Sequence, residues 1–202
     1  MKLLAVSGGI ASGKSTISRR FVELGAVHID ADQLAREAVE PGSRGLEAVR
    51  ARFGDEVIAP DGSLDRAELA SIVFRDPEKL AALGEIVHPE VRRLFEERLE
   101  SIAREDADAV VIYDVPLLVE ASPGGDWDLV VMAEAPAQTR IERMVNLRGM
   151  SREDAERRIA NQADDESRRA IADVVVDTGG SEQHTLQQVD EIWRRLLMES
   201  SR

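Results

Sequence analysis

The chain has 202 residues, of which 43% are hydrophobic and 32% are charged, a balance typical of a folded globular protein rather than a disordered one. Its 39 acidic and 26 basic residues give a net charge of −13, which argues against binding to nucleic acid or to anionic membranes, since both need a positive surface. The absence of cysteine excludes disulfides, thiolate metal sites and a cysteine nucleophile.

No apolar run approaches the roughly 18 residues that a membrane-spanning helix needs. The N-terminal apolar stretch Leu3–Val6 is also too short for a secretory signal peptide. We therefore expect a cytoplasmic protein.

The chain opens with a predicted strand, a glycine-rich loop, a helix and a second strand. Lys2–Ser7 is an apolar run that ends at a glycine pair, as expected for a buried strand that leads into a loop. Lys14–Leu24 places its apolar residues on one helical face, and Gly25 suits the end of that helix. Ala26–Asp30 is the second strand. This order is typical of the start of a parallel α/β domain.

The segment 31–108 is predicted to be a helical insertion beside the sheet, because it contains no strand pattern. Its first four helices are predicted at Gln33–Val39, Leu46–Phe53, Leu64–Phe74 and Glu78–Ile86. Another helix is predicted to begin at His88-Pro89 and to run to about Arg104, because proline suits the first turn of a helix.

The rest of the chain returns to strands that alternate with helices. Unbroken apolar runs, typical of strands covered on both faces, predict strands at Ala109–Tyr113, Leu129–Ala133 and Val174–Val176. Helices are predicted at Gln138–Asn146, Ser151–Ala160 and Glu182–Met198.

Residues 8–15 read GGIASGKS and match the phosphate-loop pattern G-x-x-x-x-G-K-[ST] at every fixed position. Gly8, Gly9 and Gly13 let the backbone curl so that its N–H groups point at phosphate oxygens. In this pattern Lys14 reaches the β- and γ-phosphates, and the hydroxyl of Ser15 is a ligand of Mg²⁺. ATP and Mg²⁺ are therefore the expected cofactors.

Other motifs narrow the class of phosphate-loop protein. A guanine-specific switch carries N-K-x-D, and neither Asn146 nor Asn161 fits that motif. The chain has no ABC-type signature and is too short for most motor or transport ATPases. A compact kinase with a small acceptor is the interpretation that remains. Another small-molecule or nucleoside kinase, or a nucleotide-dependent binding switch without an acceptor, are the alternatives.

Two strand ends supply acidic candidates. Asp30 and Asp32 follow the second strand, where the carboxyl ends of parallel strands form the ligand crevice, and one of them can orient an acceptor hydroxyl. Either could instead cap the next helix, which leaves the other free. Asp114 ends the third predicted strand, in a position like that of the Walker-B acid near Mg²⁺, although a solvated aspartate fits equally well.

A basic hairpin is the candidate lid. The segment 138–158 holds six basic and four acidic residues, including Arg140, Arg143 and Arg148. Kinases of this type close such an arm over ATP and place arginines against its phosphates, although a solvated helix face explains the same charges. His88 alone is more typical of a packed or capping residue than of a functional one.

Taken together, these motifs resemble the dephospho-CoA kinase family. The matching segments follow the same order over nearly the whole chain and are LLAVSGGIASGKST at 3–16, HIDADQLAREAVEPG at 28–42, IVHPEVR at 86–92, VPLLVE at 115–120, NLRGMSREDAERRIANQ at 146–162 and DVVVDTGGS at 173–181.

The resemblance implies the transfer of the γ-phosphoryl group of ATP to the ribose 3′-hydroxyl of dephospho-CoA, which is the last step of coenzyme A synthesis. The implied fold is an α/β three-layer P-loop NTPase core with a parallel five-stranded sheet, a helical substrate-binding insertion and a helical lid. On this basis we assign the core to 1–30, 109–137 and 171–202, the CoA-binding region to 31–108 and the lid to 138–170. We expect a monomer or small homo-oligomer.

The resemblance also implies roles for individual residues. The implied ATP-phosphate contacts are Ala11, Ser12, Gly13, Lys14, Ser15 and Thr16. Asp32 corresponds to the base or hydroxyl-orienting acid, and Arg140 and Arg148 to the lid arginines. The implied substrate-binding residues are Asp32, His88, Pro89 and Leu117. Thr178 stands where relatives often have an asparagine near adenine, so we expect it in the nucleotide site.

Overall fold

The computed structural model describes residues 1–116, 118–121 and 125–200. The strands are β1 (Lys2–Gly8), β2 (Val27–Asp30), β3 (Val110–Asp114), β4 (Leu129–Glu134) and β5 (Val174–Asp177). The helices are α1 (Lys14–Glu23), α2 (Ala31–Glu37), α3 (Arg44–Phe53), α4 (Arg66–Val73), α5 (Pro77–Glu105), α6 (Leu118–Ala121), α7 (Ala137–Arg148), α8 (Arg152–Ala160), α9 (Asp165–Ala170) and α10 (Glu182–Ser200), with a 3₁₀ turn at Asp55–Val57. Among the described residues, none of the helices combines the length and apolar character needed to cross a bilayer.

The five strands form one sheet in the order β2-β3-β1-β4-β5. The central strand β1 pairs in parallel with β3 and β4, and β4 pairs in parallel with β5. This register sets Val6 beside Asp114 and Glu134 beside Asp177, so these strand ends share one edge of the sheet, where ligands bind in such folds. Every residue of β3 is buried, which is why its sequence is an unbroken apolar run. The predicted α/β class with a five-stranded parallel sheet is confirmed.

The first of two compact units comprises Met1–His28 and Asp106–Arg202. Its core lies where α1 and α10 pack on one face of the sheet, and its fully buried side chains include Phe21. Burying a side chain of that size stabilises the fold by about 1.5–3 kcal/mol. Arg20 of α1 also donates from Nε to Asp190 of α10 at 2.7 Å, which ties the two helices together.

The second unit, Ile29–Glu105, has a small core of its own. The buried side chains of this core are Val39, Val49, Phe53, Val57, Leu69 and Val73. The helix α2 begins at Ala31, two residues before the predicted start. The reason is local, because the carboxylate of Asp30 accepts the N–H groups of Asp32 at 2.8 Å and of Gln33 at 3.2 Å and so caps the helix there.

The helix α5 is continuous over 29 residues, so the predicted helix boundary at His88-Pro89 is wrong. A proline inside a helix removes one backbone hydrogen bond and costs about 3 kcal/mol. The partly buried Ile86 and Val87 pack against the core of the unit just before Pro89, and Ile102 is buried after it. Packing on both sides of the proline offsets that cost, and sequence periodicity alone does not report it.

The short helices α6 and α9 were not predicted from the sequence. They contain four and six residues, which is too short for an apolar period to be recognised.

Candidate active site

The phosphate loop joins β1 to α1 in a partly left-handed backbone conformation. Gly13 has φ +87°, which glycine adopts freely, whereas Ala11 has φ +57°, at a cost of about 1–3 kcal/mol for a residue with a side chain. Gly13 is the N-cap of α1, and neither a side-chain cap nor an acidic residue occupies the first turn. The N–H groups and the positive end of the helix are therefore not capped by a side chain of the helix itself, an arrangement that suits an anion.

The start of the loop is tightly packed. A Cβ atom at Gly8 would lie 2.5 Å from Ser12 Oγ and 2.8 Å from the carbonyl oxygen of Ala133 in β4. A Cβ atom at Gly9 would collide with the guanidinium of Arg140. Gly8 is thus required by close approach to the backbone of β4, and Gly9 leaves room for the Arg140 side chain.

Lys14 forms an ion pair with Asp114 at the end of β3. Only 6% of Asp114 is exposed, and its other carboxylate oxygen accepts the hydroxyl of Ser18 at 2.7 Å and lies 3.5 Å from His28 Nε2. A buried carboxylate is costly unless it is paired, so Lys14 and Ser18 stabilise this one. The structure thus brings Asp114 and Lys14 together at the phosphate loop.

Arg140 lies beneath the loop with only 2% of its surface exposed. Its Nε donates to the carbonyl oxygen of Ile10 at 2.9 Å, its Nη2 to Gln162 Oε1 at 3.1 Å and its Nη1 to Asp165 Oδ1 at 3.2 Å. Burial lowers the pKa of Arg140, nearby Asp165 opposes that shift and Arg168 adds to it. The guanidinium still carries its charge at neutral pH, because arginine titrates far above that range.

A cleft of about 300 Å³ opens on the other side of the loop. It is lined by Ala11, Gly13, Ser15, Thr16, Arg143, Leu147, Arg148, Thr178, Gly180, Glu182 and Thr185. The cleft therefore combines the second half of the loop with two arginines of α7 and with the β5–α10 connection. Its volume is at the lower end of the range for small-ligand sites.

Arg143 connects the two sides of this cleft. Its Nη1 donates to the carbonyl oxygen of Ala11 at 3.2 Å, and its Nη2 donates to the carbonyl oxygen of Thr178. Arg143 belongs to the predicted basic hairpin but is not among the site residues predicted from the sequence. Helical spacing could have identified Arg143 as a site residue, because it lies three residues after Arg140 and side chains at that spacing are neighbours on a helix.

The two expected lid arginines, Arg140 and Arg148, occupy different environments. Arg148 is exposed at the end of α7 and lines the cleft. Arg140 is buried and reaches the loop backbone instead. Thr178, expected near the nucleotide, also lines the cleft, and its hydroxyl donates to the carbonyl oxygen of Ser12.

Three further expected residues, Asp32, His88 and Pro89, lie in the second unit. Because Asp30 caps α2, Asp32 in the first turn keeps an exposed side chain. His88 and Pro89 are both exposed on α5, and the imidazole of His88 packs over Gly84, where an added Cβ atom would lie 3.2 Å from Cε1. Leu117, expected to bind substrate, lies outside the described residues.

Comparison with known proteins adds an independent finding. A model of the family described as dephospho-CoA kinase matches residues 2–184. A dephospho-CoA kinase of Leifsonia xyli subsp. xyli is 54% identical over 196 residues, which cover 97% of this chain and 99% of the relative.

Solved structures agree on the fold. The structure of TT1252 from Thermus thermophilus superposes with a TM-score of 0.81 and 34% identity, covering 96% of this chain and 97% of that one. A dephospho-CoA kinase from Campylobacter jejuni superposes with a TM-score of 0.66 and 23% identity over 96% of this chain and 97% of that one, which supports the fold alone.

Proposed function

The chain belongs to the dephospho-CoA kinase family, and we propose that it binds ATP along the phosphate loop and the adjoining arginine-lined cleft. As a dephospho-CoA kinase it transfers a phosphoryl group from ATP to an alcohol group of dephospho-CoA, the last step of coenzyme A biosynthesis. The acceptor alcohol is the ribose 3′-hydroxyl. The single observation that carries the ATP assignment is the cleft, since it joins Ser15 and Thr16 of the loop to Arg143 and Arg148.

The triphosphate is stabilised by charge and by oriented dipoles. Lys14 and the uncapped first turn of α1 provide positive potential for the β- and γ-phosphates. Arg148, exposed beside the cleft, is available to the phosphate oxygens when the lid closes. The ion pair with Asp114 supports this role of Lys14, because it holds the ammonium at the loop before nucleotide arrives.

The oxygen donors at the loop suit a hard cation, and we include Mg²⁺ in the proposal. The Ser15 hydroxyl lines the cleft, and the carboxylate of Asp114 is buried against Lys14 and Ser18. Mg²⁺ prefers oxygen ligands and commonly binds through few protein groups together with substrate phosphates, so this donor set fits it. When bound, the cation neutralises part of the phosphate charge.

Asp32 is proposed to orient the acceptor hydroxyl and to accept its proton. Two observations support this role. The residue lies two positions after the carboxyl end of β2, in the first turn of α2, and its side chain is exposed while Asp30 caps the helix. A carboxylate within hydrogen-bond reach of the reacting hydroxyl contributes typically 10²–10⁴-fold to such a step.

The second unit is proposed to bind the CoA portion of the acceptor. The exposed positions of His88 and Pro89 on α5 support their assignment to this region. Segments 31–108 and 138–170 keep their assignments as CoA-binding region and lid, with 1–30, 109–137 and 171–202 as the core. We further propose that the enzyme acts in the cytoplasm. We also propose that it is a monomer or small homo-oligomer, and size-exclusion chromatography with light scattering will measure its molar mass in solution.

A coupled assay of ADP release tests the reaction. With ATP and Mg²⁺, we expect ADP to form on addition of dephospho-CoA but not on addition of shikimate, gluconate or nucleosides. The new phosphate should appear on the ribose 3′-hydroxyl by ³¹P NMR. ADP release that is the same with and without dephospho-CoA would contradict the proposal and indicate a nucleotide-dependent switch. Preference for another acceptor would indicate a different small-molecule kinase.

A further inference from the structure

Three consecutive carbonyl groups of the phosphate loop accept hydrogen bonds from side chains distant in sequence. The pairs are Arg140 Nε with the Ile10 carbonyl at 2.9 Å, Arg143 Nη1 with the Ala11 carbonyl at 3.2 Å, and Thr178 Oγ1 with the Ser12 carbonyl. A fourth side chain completes the set, because Gln162 Oε1 accepts the N–H of Ile10 at 2.8 Å. The outer side of the loop is thus bonded to fixed side chains at each of these residues.

These bonds determine where the next N–H groups point. In a trans peptide the carbonyl and the following N–H lie on opposite sides of the chain, and no cis peptide bond occurs among the described residues. A carbonyl of Ile10 turned toward Arg140 therefore turns the N–H of Ala11 away from it. In the same way, a carbonyl of Ser12 turned toward Thr178 turns the N–H of Gly13 away.

We propose that Arg140 and Thr178 are positioning residues that pre-orient the N–H groups of Ala11 and Gly13 toward the nucleotide phosphates. The inference rests on the proposed function only in taking this loop as the triphosphate site. It also explains how Ala11 keeps φ +57°, because a strained backbone persists only where its surroundings hold it. Loop N–H groups that are oriented before the nucleotide binds need no reorganisation when the charged phosphates arrive, so they stabilise that charge more effectively.

Thr178 is the clearest member of the set. Only 3% of the residue is exposed, so its side chain is packed rather than projecting freely into the cleft. Its hydroxyl has one proton, and of the two carbonyls within reach the nearer is that of Ser12, the other being Glu134 at 3.0 Å. The geometry therefore favours action through the loop over contact with the adenine base.

The test is a comparison of nucleotides that differ in phosphate number. We expect Thr178→Val, which removes the hydroxyl but keeps the shape, to weaken ADP and ATP binding by about tenfold in calorimetry, equivalent to about 1.4 kcal/mol. AMP affinity and the KM for dephospho-CoA should change less than about twofold. Thr178→Ser, which restores the hydroxyl, should recover most of the ADP and ATP affinity.

Thr185→Val is the matched control. Thr185 is also 3% exposed and lines the same cleft, but its hydroxyl donates to the carbonyl oxygen of Asp177 at 3.3 Å, outside the loop. This variant should keep the wild-type ratio of ATP to AMP affinity. Equal losses for AMP, ADP and ATP in Thr178→Val would overturn the inference in favour of a base contact, and so would an unchanged ATP affinity.

A second variant covers the case in which Thr178→Val does not fold. Gln162→Leu removes the acceptor of the Ile10 N–H, and its loss of nucleotide affinity should likewise grow with the number of phosphates. Gln162→Glu keeps an acceptor and should lose less nucleotide affinity. Identical nucleotide affinities in the two Gln162 variants would overturn the inference. If the wild-type enzyme turns over dephospho-CoA while the variants keep their phosphate preference, the inference fails and the proposed function stands.

Discussion

Arg140 donates from Nε to the carbonyl oxygen of Ile10 at 2.9 Å and so joins α7 to the phosphate loop across 130 positions of the chain. The same guanidinium reaches Gln162 and Asp165, so one buried cation links the loop to the start of α9. This location favours an effect of Arg140 on loop geometry over direct contact with a phosphate. Replacement of Arg140 should therefore lower the stability of the protein.

Arg140→Met should lower the free energy of unfolding by about 3 kcal/mol, because the variant leaves buried carbonyl and amide acceptors without their charged donor. Urea denaturation measures the change. The matched control is Arg157→Met, since the side chain of Arg157 is 61% exposed and pairs with Glu153 and Asp154 of its own helix, α8. That control should cost less than about 1 kcal/mol. Similar losses in both variants would show that the Arg140 contacts contribute no more than a surface pair.

Lys14→Met should abolish measurable kinase activity and also destabilise the protein, since the buried carboxylate of Asp114 loses its cation. The double variant Lys14→Met with Asp114→Asn should recover stability, because no buried charge remains, but it should not recover activity. Thermal unfolding and the ADP-release assay measure the two effects separately. A double variant no more stable than the single variant would contradict the buried-charge explanation.

Asp32→Asn should lower kcat by 10²–10⁴-fold while the protein stays folded, because the substitution removes the proton acceptor from an exposed position. The control is Asp30→Asn, two residues away, since asparagine also caps helices and the bonds to the N–H groups of α2 are kept. Steady-state kinetics with dephospho-CoA and ATP measure kcat for the two variants. A loss below about tenfold in Asp32→Asn would remove Asp32 from the acid–base role.

Glu134 should contribute a pH-dependent part of the stability. Its hydrogen bonds with Arg169, one of them at 2.7 Å, hold the pKa of Glu134 below its usual value, although burial and nearby Asp177 oppose that shift. The unfolded state then binds protons more tightly than the native state. The stabilisation is therefore complete above the unfolded pKa of about 4.3 and is lost as the pH falls through the lower native pKa.

Urea denaturation between pH 6 and pH 3 measures this effect. The decline in the free energy of unfolding should be smaller in Glu134→Gln than in wild type, because the amide does not titrate. Glu96→Gln, on the exposed surface of α5, is the control and should decline as wild type does. If Glu134→Gln follows the wild-type profile, the pair with Arg169 does not affect stability in this range.

Much of the fold could be predicted because its signals are local. Four of the five strands are mainly apolar runs that turns interrupt, β2 (VHID) being the exception, and each strand lies within one residue of its predicted bounds. The phosphate loop could be recognised from eight consecutive residues. The helix start at Asp30 could not be settled in the same way, because Asp30 and Asp32 are equally good caps and only backbone geometry distinguishes them.

The sequence alone determined a globular, nucleotide-binding protein of the α/β class with a net charge of −13. These properties follow from residue types at short spacing, because apolar runs determine burial and the glycines and lysine of the phosphate loop determine backbone freedom and phosphate affinity. Only the tertiary structure decided that Arg140 lies beneath the loop, that Asp114 holds Lys14, and that Arg143 belongs to the cleft. The contacts of Arg140 with Ile10, of Arg143 with Ala11 and of Asp114 with Lys14 each join residues about 100 or more positions apart. Chain folding sets such distances through the packing of the whole sheet, and no local pattern encodes them.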